Sequence, residues 1–128
     1  MLNEAKRPAT VQRRAELFRE AAAIIDSEYE SKLALDDVAR RVATSRRQLQ
    51  RAFAEAGETS FRSYLQRVRM EQAARLLQAS ASPVNEVASA VGYRQPAQFA
   101  KAFRRHLGVA PSDYRAGGAR PDGLMRAA

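Results

Sequence analysis

Apolar side chains recur along much of the chain at alternating steps of three and four residues, the spacing that places them on one face of an α-helix. The first run of this kind begins at Thr10 and predicts a helix of about five turns, with the Thr10 hydroxyl as its cap. Its members are Val11, Ala15, Phe18, Ala22, Ile25 and Tyr29. Residues 1–9 before it are expected to be a flexible end, and residues 30–34 a connector.

Two helices of unequal length are predicted next. Apolar residues on one face mark a short helix over about residues 35–42. A second helix begins after it, because Ser45-Arg46-Arg47-Gln48 has the form of a capping box, in which a serine hydroxyl satisfies a free backbone amide. Leu49 and Phe53, four residues apart, fix its buried face.

A long helix is predicted over about residues 60–79, with Thr59 or Ser60 as its cap. The helical pattern is interrupted after residue 79, and a short apolar helix follows the interruption. Ser82 is expected to cap that short helix, with Pro83 at the first helical position, where the missing amide proton of proline costs nothing.

Glycine and proline divide the C-terminal third into elements. Gly92 and Gly108 are each placed to end a helix in a left-handed backbone conformation. Pro96 opens the helix between them, and a last helical turn is predicted at residues 111–115. Residues 116–128, rich in Gly, Ala and Arg, are expected to be a flexible tail.

The central region repeats itself. Val38-Ala39-x-x-Val42 reappears 49 residues later as Val87-Ala88-x-x-Val91, and Leu49-x-x-x-Phe53 reappears 50 residues later as Phe99-x-x-x-Phe103, so the extra residue falls in a turn. Each copy is a short apolar helix, a turn, and a longer helix with a cationic exposed face, which is the pattern of a helix-turn-helix. A plain helical hairpin repeat is the alternative, but it would not require the arginines to coincide with the second helix of each copy.

These elements predict an all-α domain of about seven helices over residues 10–115, since no strand-like alternation is found. Two helix-turn-helix subdomains, at about residues 35–56 and 83–107, are joined by the long central helix. At about 1.5 Å per residue this helix is about 28 Å long, so it could hold two recognition helices near one DNA turn apart, about 34 Å.

The composition excludes several kinds of site. The 128 residues include no Cys and a single His, His106, which excludes thiolate zinc sites and makes His-cluster metal sites and acid–base catalysis implausible. No phosphate-binding loop or nucleophile–base pair is found, so we expect no enzymatic activity, no cofactor and no metal. No apolar run approaches the roughly 20 residues of a membrane span, and a signal-peptide core is missing, so a soluble, cytoplasmic protein is expected.

The charge is large and localised. Lys and Arg number 22 against 14 Asp and Glu, a net charge of +8. Residues 1–39 carry 6 cations and 8 anions, whereas residues 40–105 carry 13 cations and 4 anions. The cations form two clusters: Arg40, Arg41, Arg46, Arg47 and Arg51 in one, and Arg94, Lys101, Arg104 and Arg105 in the other. Such clusters favour a polyanionic partner, nucleic acid before an anionic membrane surface.

Three stretches carry a resemblance to a known family: LALDDVARRVATSRRQLQRAF, SYLQRVRMEQAARLL and GYRQPAQFAKAFRRHLGVAPSDYR. Over about residues 33–115 the chain resembles the DNA-binding domain of the AraC/XylS-type bacterial transcription regulators, which contains two helix-turn-helix units. The helix predicted over residues 11–29 is similar to the first helix of that fold. The resemblance implies sequence-specific promoter binding, often with activation through contacts to RNA polymerase.

The chain departs from the family pattern at three local positions. Ala43 occupies in the first unit the place of Gly92 in the second, where the family usually has Gly, and a positive φ there would cost about 1 kcal/mol. Gly57 lies one position earlier than the usual glycine, and Ala34 stands where a polar cap is common. These departures concern turn geometry in the first unit rather than the fold.

The exposed side of the first recognition helix carries candidate DNA-binding residues. Its buried face leaves Gln50 and Arg51 pointing outward, and Arg can bond to guanine O6 and N7 while Gln can bond to adenine N6 and N7. The resemblance implies that Arg47, Gln50 and Arg51 read bases and that Arg46 lies closer to phosphate. The alternative is that all four contact only phosphates.

The second recognition helix offers fewer specific groups. Ala97, Gln98 and Lys101 take its outward positions, and Ala97 has only a methyl group for contact with thymine. This unit should therefore read fewer bases, through Gln98 and Lys101, or none. Three further cations are predicted to hold phosphates: Arg94, Arg104 and Arg105.

The sequence thus predicts a regulator that binds double-stranded promoter DNA sequence-specifically, as a monomer, in the bacterial cytoplasm and nucleoid. It is expected to activate transcription, with RNA polymerase as a further partner. A non-specific architectural DNA-binding protein is the alternative, and its affinity would vary with salt and hardly with sequence. A protein-interaction module and an RNA-binding protein are the remaining hypotheses.

Overall fold

The computed structural model describes residues 8–117. The helices of this range are α1 (Pro8–Glu28), α2 (Leu35–Arg41), α3 (Arg46–Ala56), α4 (Phe61–Ala79), α5 (Val84–Ala90), α6 (Pro96–Leu107) and α7 (Pro111–Arg115). The described part of the chain contains these seven helices and no strand, which confirms the predicted all-α class. Most of the expected flexible end and tail, residues 1–7 and 118–128, lie outside the described residues.

The chain divides into two compact units, and the division falls within α4. Unit 1 comprises residues 1–65 and contains α1, α2, α3 and the start of α4, whereas unit 2 comprises residues 66–128 and contains the rest of α4 with α5, α6 and α7. Each unit therefore holds one of the two predicted helix-turn-helix pairs. None of the helices between residues 8 and 117 is long and apolar enough to cross a membrane.

The core of unit 1 is an aromatic cluster between α1, α3 and the first turn of α4. The Phe53 ring is fully buried and lies edge to face with Phe18, at 5.2 Å between centroids, and with Phe61, at 5.9 Å. Edge-to-face pairs place the positive rim of one ring against the negative face of another. Leu49 is also fully buried, so both apolar residues predicted to face inward from α3 do so.

Two polar contacts fasten α1 to the rest of unit 1. The Arg14 guanidinium pairs with Glu55 near the end of α3. The Tyr64 hydroxyl, on α4, donates a hydrogen bond to Asp26 Oδ1 at 3.2 Å. These contacts lie about three turns apart on α1, so together they hold it against both neighbouring helices.

The start and the buried face of α1 differ from the prediction. The helix begins at Pro8, two residues before Thr10, so the predicted Thr10 cap is wrong; proline is favoured in a first helical turn because its ring already fixes a helical φ. Val11, placed in the apolar stripe, is 50% exposed. The buried positions of α1 are Leu17, Ala21, Ala22 and Ile25, so Ala22 and Ile25 are confirmed, but the buried face begins later than predicted and includes two residues outside the predicted stripe.

The core of unit 2 is built from α6 in the same way. Phe99 and Phe103 are both fully buried, as predicted from their spacing. Tyr93, in the turn before α6, lies 5.7 Å from the Phe99 ring, and Tyr114, on α7, lies 5.4 Å from the Phe103 ring. These rings close the core at both ends of α6.

Arg115 joins α7 to the end of α4. Its Nε donates to the Leu77 carbonyl at 2.9 Å and its Nη2 donates to the Ser80 carbonyl at 3.2 Å. The last carbonyls of a helix have no partner within the helix, and a cation there also opposes the negative end of the helix dipole. Arg115 therefore stabilises the C-terminal end of α4.

The internal repeat is visible in the two turns. α2 and α5 each have seven residues, and the turn after α5 is one residue longer, as predicted. Ala43 and Gly92 hold the same place, with φ of 58° and 101°. In each turn the next amide donates a 2.9 Å bond to a carbonyl five residues back, from Thr44 to Ala39 and from Tyr93 to Ala88. Ala43 thus adopts a left-handed conformation that Gly92 adopts without a steric penalty.

A second left-handed residue follows α3. Glu58 has φ of 52°, whereas the neighbouring Gly57 has φ of −101°, which any residue can adopt. A Cβ atom at Gly57 would lie 2.7 Å from Phe18 Cζ, so glycine is required there by the close approach of α1. The displaced glycine of the family pattern is explained by packing, and the positive φ falls on a glutamate.

Most of the predicted caps are present. Ser45 Oγ accepts a hydrogen bond from the Gln48 amide at 3.1 Å, and Ser60 Oγ accepts one from the Ser63 amide at 3.0 Å. Gly108 ends α6 with φ of 84°, in the predicted left-handed conformation.

The predicted start of α5 is wrong by one residue. Pro83 is the N-cap of α5 rather than its first helical residue, with φ of −57° and ψ of 152°, and the cap makes no side-chain hydrogen bond. Its extended ψ places Pro83 outside the helix, so Ser82 lies too early in the chain to be the cap.

Candidate nucleic-acid interface

The outer face of α3 presents the three predicted base-reading residues together. Arg47, Gln50 and Arg51 are all exposed and follow the i, i+3, i+4 spacing of one helix face. Leu49 and Phe53 are fully buried on the opposite side, and their packing fixes the rotation of α3 about its axis. The polar face of α3 is therefore held outward by its core contacts.

Acidic side chains neutralise part of the first cationic cluster. Arg46 Nη1 donates to Asp36 Oδ1 at 2.9 Å, and Arg40 pairs with Asp37. Arg41 binds Glu28 with two hydrogen bonds, of 2.8 and 2.6 Å. The bond from Arg41 lowers the pKa of the Glu28 carboxyl, and the same bond raises the pKa of Arg41. Acidic residues of the net-negative segment 1–39 thus neutralise three arginines of α2 and α3.

Arg47 and Arg51 differ from these arginines. Within residues 8–117 neither forms a salt bridge, although both belong to the same cluster in the sequence. On α3, the two guanidinium groups without a salt bridge among the described residues are therefore the two that are predicted to read bases. The structure places them on one exposed face with Gln50.

The outer face of α6 presents the second set. Ala97, Gln98 and Lys101 are exposed, and Arg104 and Arg105 continue the same face one turn later. Arg94 is exposed in the turn before α6. Among the described residues no acidic side chain is paired with these cations.

The two recognition helices do not match position by position. With the offset of 50 residues, Ala97 corresponds to Arg47 and Lys101 to Arg51. The counterpart of Gln50 is Ala100, which is half-buried, so Gln98 projects from a different position on α6. The second face therefore carries one amide and one ammonium group where the first carries one amide and two guanidinium groups.

A groove of about 400 Å³ borders the polar face of α3 in unit 1. Arg46, Gln50 and Ala54 form its wall on α3, and Ser60, Phe61 and Arg62 form its wall at the start of α4. No pattern in the sequence singles out Arg62, because it lies in the first turn of the long helix, away from both cationic clusters. Only the tertiary packing of the start of α4 beside α3 makes it line the same groove as Gln50.

A family model described as a helix-turn-helix domain matches residues 38–117 of the chain. The DNA-binding domain of AdpA, a global transcriptional factor solved in complex with a target DNA, superposes with a TM-score of 0.72 and 33% identity, covering 84% of this chain and 97% of that one. The chain belongs to the AraC-type helix-turn-helix family.

Other AraC-type proteins agree with this assignment. The C-terminal domain of AraT, a response regulator from Geobacillus stearothermophilus, superposes with a TM-score of 0.77 and 31% identity, covering 84% of this chain and 90% of that one. The lactose operon transcription activator of Staphylococcus xylosus is 30% identical over 98 residues, which are 77% of this chain and 35% of that protein. The AraC-type chain spans about a third of the length of the curated relatives it matches.

Proposed function

We propose that this AraC-type domain is a sequence-specific transcription regulator that inserts α3 and α6 into successive major-groove segments of a promoter site. The observation that carries the proposal is the pair of repeated helix-turn-helix elements. In each, two buried apolar residues fix the second helix, and its opposite face is exposed and cationic or amide-bearing. An exposed recognition helix of this kind fits the width of the major groove.

The first unit supplies most of the specific hydrogen bonding. Arg47 and Arg51 present forked guanidinium groups that match the two acceptors of guanine, and Gln50 presents the donor and acceptor that match adenine. Because no acid within residues 8–117 pairs with Arg47 or Arg51, no ion pair has to be broken before they bind a base. We assign Arg46 to a phosphate, which requires it to leave Asp36.

The second unit contributes affinity more than selectivity. Gln98 and Lys101 are its base-reading candidates, and the Ala97 methyl group can contact only the methyl group of thymine. Three exposed arginines are assigned to phosphates on this side: Arg94, Arg104 and Arg105. Phosphate contacts position a protein on DNA without reading its sequence.

One chain carries both units, so we propose that a single copy binds an asymmetric site of about 20 base pairs. We further propose that it activates transcription through a contact with RNA polymerase. The support is the family resemblance, together with the name of the Staphylococcus xylosus relative, an operon transcription activator.

Selection from a random duplex library tests this function. An enriched motif with two half-sites about one turn apart is expected, and sedimentation should show one chain per duplex. Arg51→Ala should lose the preference at one base, whereas Arg19→Ala, which removes an exposed cation of α1, should leave the motif unchanged. A library without enrichment, together with an affinity set by salt alone, would instead indicate an architectural protein.

A further inference from the structure

The two recognition helices differ in the turn that follows their base-reading positions. On α6 this turn carries Arg104 and Arg105, both exposed. Fifty residues earlier, the corresponding positions of α3 are Ala54 and Glu55. Glu55 is an anion and is bound to Arg14 of α1, so it offers nothing to a phosphate. Thus the last turn of α3 lacks the cations with which the corresponding turn of α6 can hold the DNA backbone.

The groove of unit 1 places a cation beside this gap. Ala54 of α3 and Arg62 of α4 both line it. Arg62 is exposed, and within residues 8–117 no acidic side chain pairs with it. Arg46, the other cation of the groove, is held by Asp36. Arg62 is therefore the available positive charge next to the C-terminal half of α3.

The lining also suits a sugar–phosphate chain. Its lining combines apolar side chains, Ala54 and Phe61 among them, with the polar side chains of Ser60, Gln50 and two arginines. Deoxyribose can pack on the apolar side chains while a phosphate binds a guanidinium group. Gln50 belongs both to the groove and to the base-reading face, so a strand read by α3 has a continuous path into the groove.

We propose that this groove seats the DNA backbone that borders the half-site read by α3, and that Arg62 binds a phosphate there. The inference rests on the proposed DNA-binding function. It assigns Arg62 the task in unit 1 that is proposed for Arg104 in unit 2, from a different helix. Arg62 contributes affinity and not base preference, because phosphates carry no sequence information.

Arg62→Gln tests the assignment, with Arg75→Gln as a matched control. Both arginines are exposed on α4, but Arg75 lies outside the groove and bonds to Gln72. Arg62→Gln should weaken binding about 5–10-fold on both the selected duplex and a scrambled one, and should reduce the slope of log K against log salt by about one. Arg75→Gln should change neither, and Arg62→Lys should retain most of the slope. Thermal unfolding of each variant shows whether the fold is kept.

A methylphosphonate scan identifies the phosphate itself. Each phosphate of the selected duplex is replaced in turn by a neutral methylphosphonate, and the wild-type protein should lose affinity at one position beside the α3 half-site. Arg62→Gln should lose nothing further at that position, because partners in one contact are not additive. Additive losses at every phosphate, or an unchanged affinity of Arg62→Gln, would overturn the assignment. If Arg51→Ala still loses its base preference in that case, the proposed function stands without this contact.

Discussion

Asp36 holds Arg46 across the first helix-turn-helix, with 2.9 Å between Oδ1 and Nη1. Both side chains are about 60% exposed, so the pair adds little to stability. Its position matters more, because it places a carboxylate beside the first turn of the proposed recognition helix. A DNA phosphate approaching Arg46 must displace this carboxylate and is repelled by it.

Removal of the Asp36 charge should therefore strengthen DNA binding. Asp36→Asn is expected to raise affinity about 3-fold on selected and scrambled duplexes alike, and to steepen the salt dependence by up to about one unit, because Arg46 becomes free to bind a phosphate. Fluorescence anisotropy over a range of salt concentrations measures both effects. Asp113→Asn makes the same change of charge on α7 and should have a smaller effect. A weaker affinity for Asp36→Asn would show that Asp36 orients Arg46 for binding instead of restraining it.

Arg51 and Arg104 should separate base reading from phosphate binding. Arg51→Ala is expected to cost about 1–3 kcal/mol at the selected site and to relax the preference at one base position. Arg104→Ala should weaken binding about equally on all duplexes and reduce the salt slope by about one. Titrations of both variants with selected and scrambled DNA provide the comparison. Equal losses for both variants on both duplexes would contradict the base-reading role of Arg51.

Both equivalent turns favour glycine, so the exchanges Ala43→Gly and Gly92→Ala should change stability in opposite directions. Ala43→Gly should stabilise the protein by about 0.5–1 kcal/mol, because glycine adopts the φ of 58° found there without the steric penalty of a Cβ atom. Gly92→Ala, at φ of 101°, should destabilise it by about 1 kcal/mol or more. Urea unfolding of both variants gives the two free energies. A loss of stability in Ala43→Gly would show that the strain at Ala43 is compensated elsewhere.

The Glu28–Arg41 pair should titrate abnormally. Its hydrogen bonds lower the pKa of Glu28 in the folded state, so the pair stabilises the fold above the unfolded pKa and loses this contribution as pH falls through the folded pKa. Carboxyl NMR of Glu28 should give a midpoint below its ordinary value, and Arg41→Gln should shift that midpoint upward. The difference in stability between the two proteins should shrink in acid. An unchanged Glu28 midpoint in Arg41→Gln would mean that Arg41 is not its cause.

Much of the fold can be predicted from the sequence, because the spacing of apolar residues in a helix indicates which face is buried. The spacing of Leu49 with Phe53, and of Phe99 with Phe103, predicts the buried faces of α3 and α6, and all four side chains are fully buried. The alignment of Ala43 with Gly92 left a positive φ at Ala43 open, and the structure has φ of 58° there. The helix starts at Pro8 and Val84 were missed, since serine, threonine and proline each fit more than one position in a first turn.

The contacts around the candidate site could not be predicted in the same way. Asp36 and Arg46 are ten residues apart on two helices, and Arg14 and Glu55 are 41 residues apart. No periodic pattern links such pairs, because their distance depends on the angle at which helices pack. The same holds for Arg62, which borders α3 only through the packing of α4. From sequence alone, Arg46 is therefore counted as an unpaired cation although Asp36 binds it, and the position of Arg62 beside α3 is not predicted.

The two proposed recognition helices carry unequal sets of base-reading groups. Arg47, Gln50 and Arg51 offer two guanidinium forks and an amide on α3, whereas α6 offers one amide and the ammonium group of Lys101 beside Ala97. An ammonium group is a flexible point charge and discriminates between bases less sharply than a guanidinium fork. Base selectivity should therefore concentrate in the half-site under α3, while the other half-site contributes backbone affinity and shape preference.

A single-base substitution scan across the selected site measures this asymmetry. Losses of about 1–3 kcal/mol per substitution should cluster in one half-site and stay smaller in the other. Arg47→Ala or Arg51→Ala should reduce the losses of binding free energy in the half-site where they are larger. That result identifies this half-site as the one read by α3. Lys101→Ala should leave those penalties in place and lower affinity on every duplex. Equal penalties in both halves, or larger ones that disappear in Gln98→Ala, would assign the reading role to α6 instead.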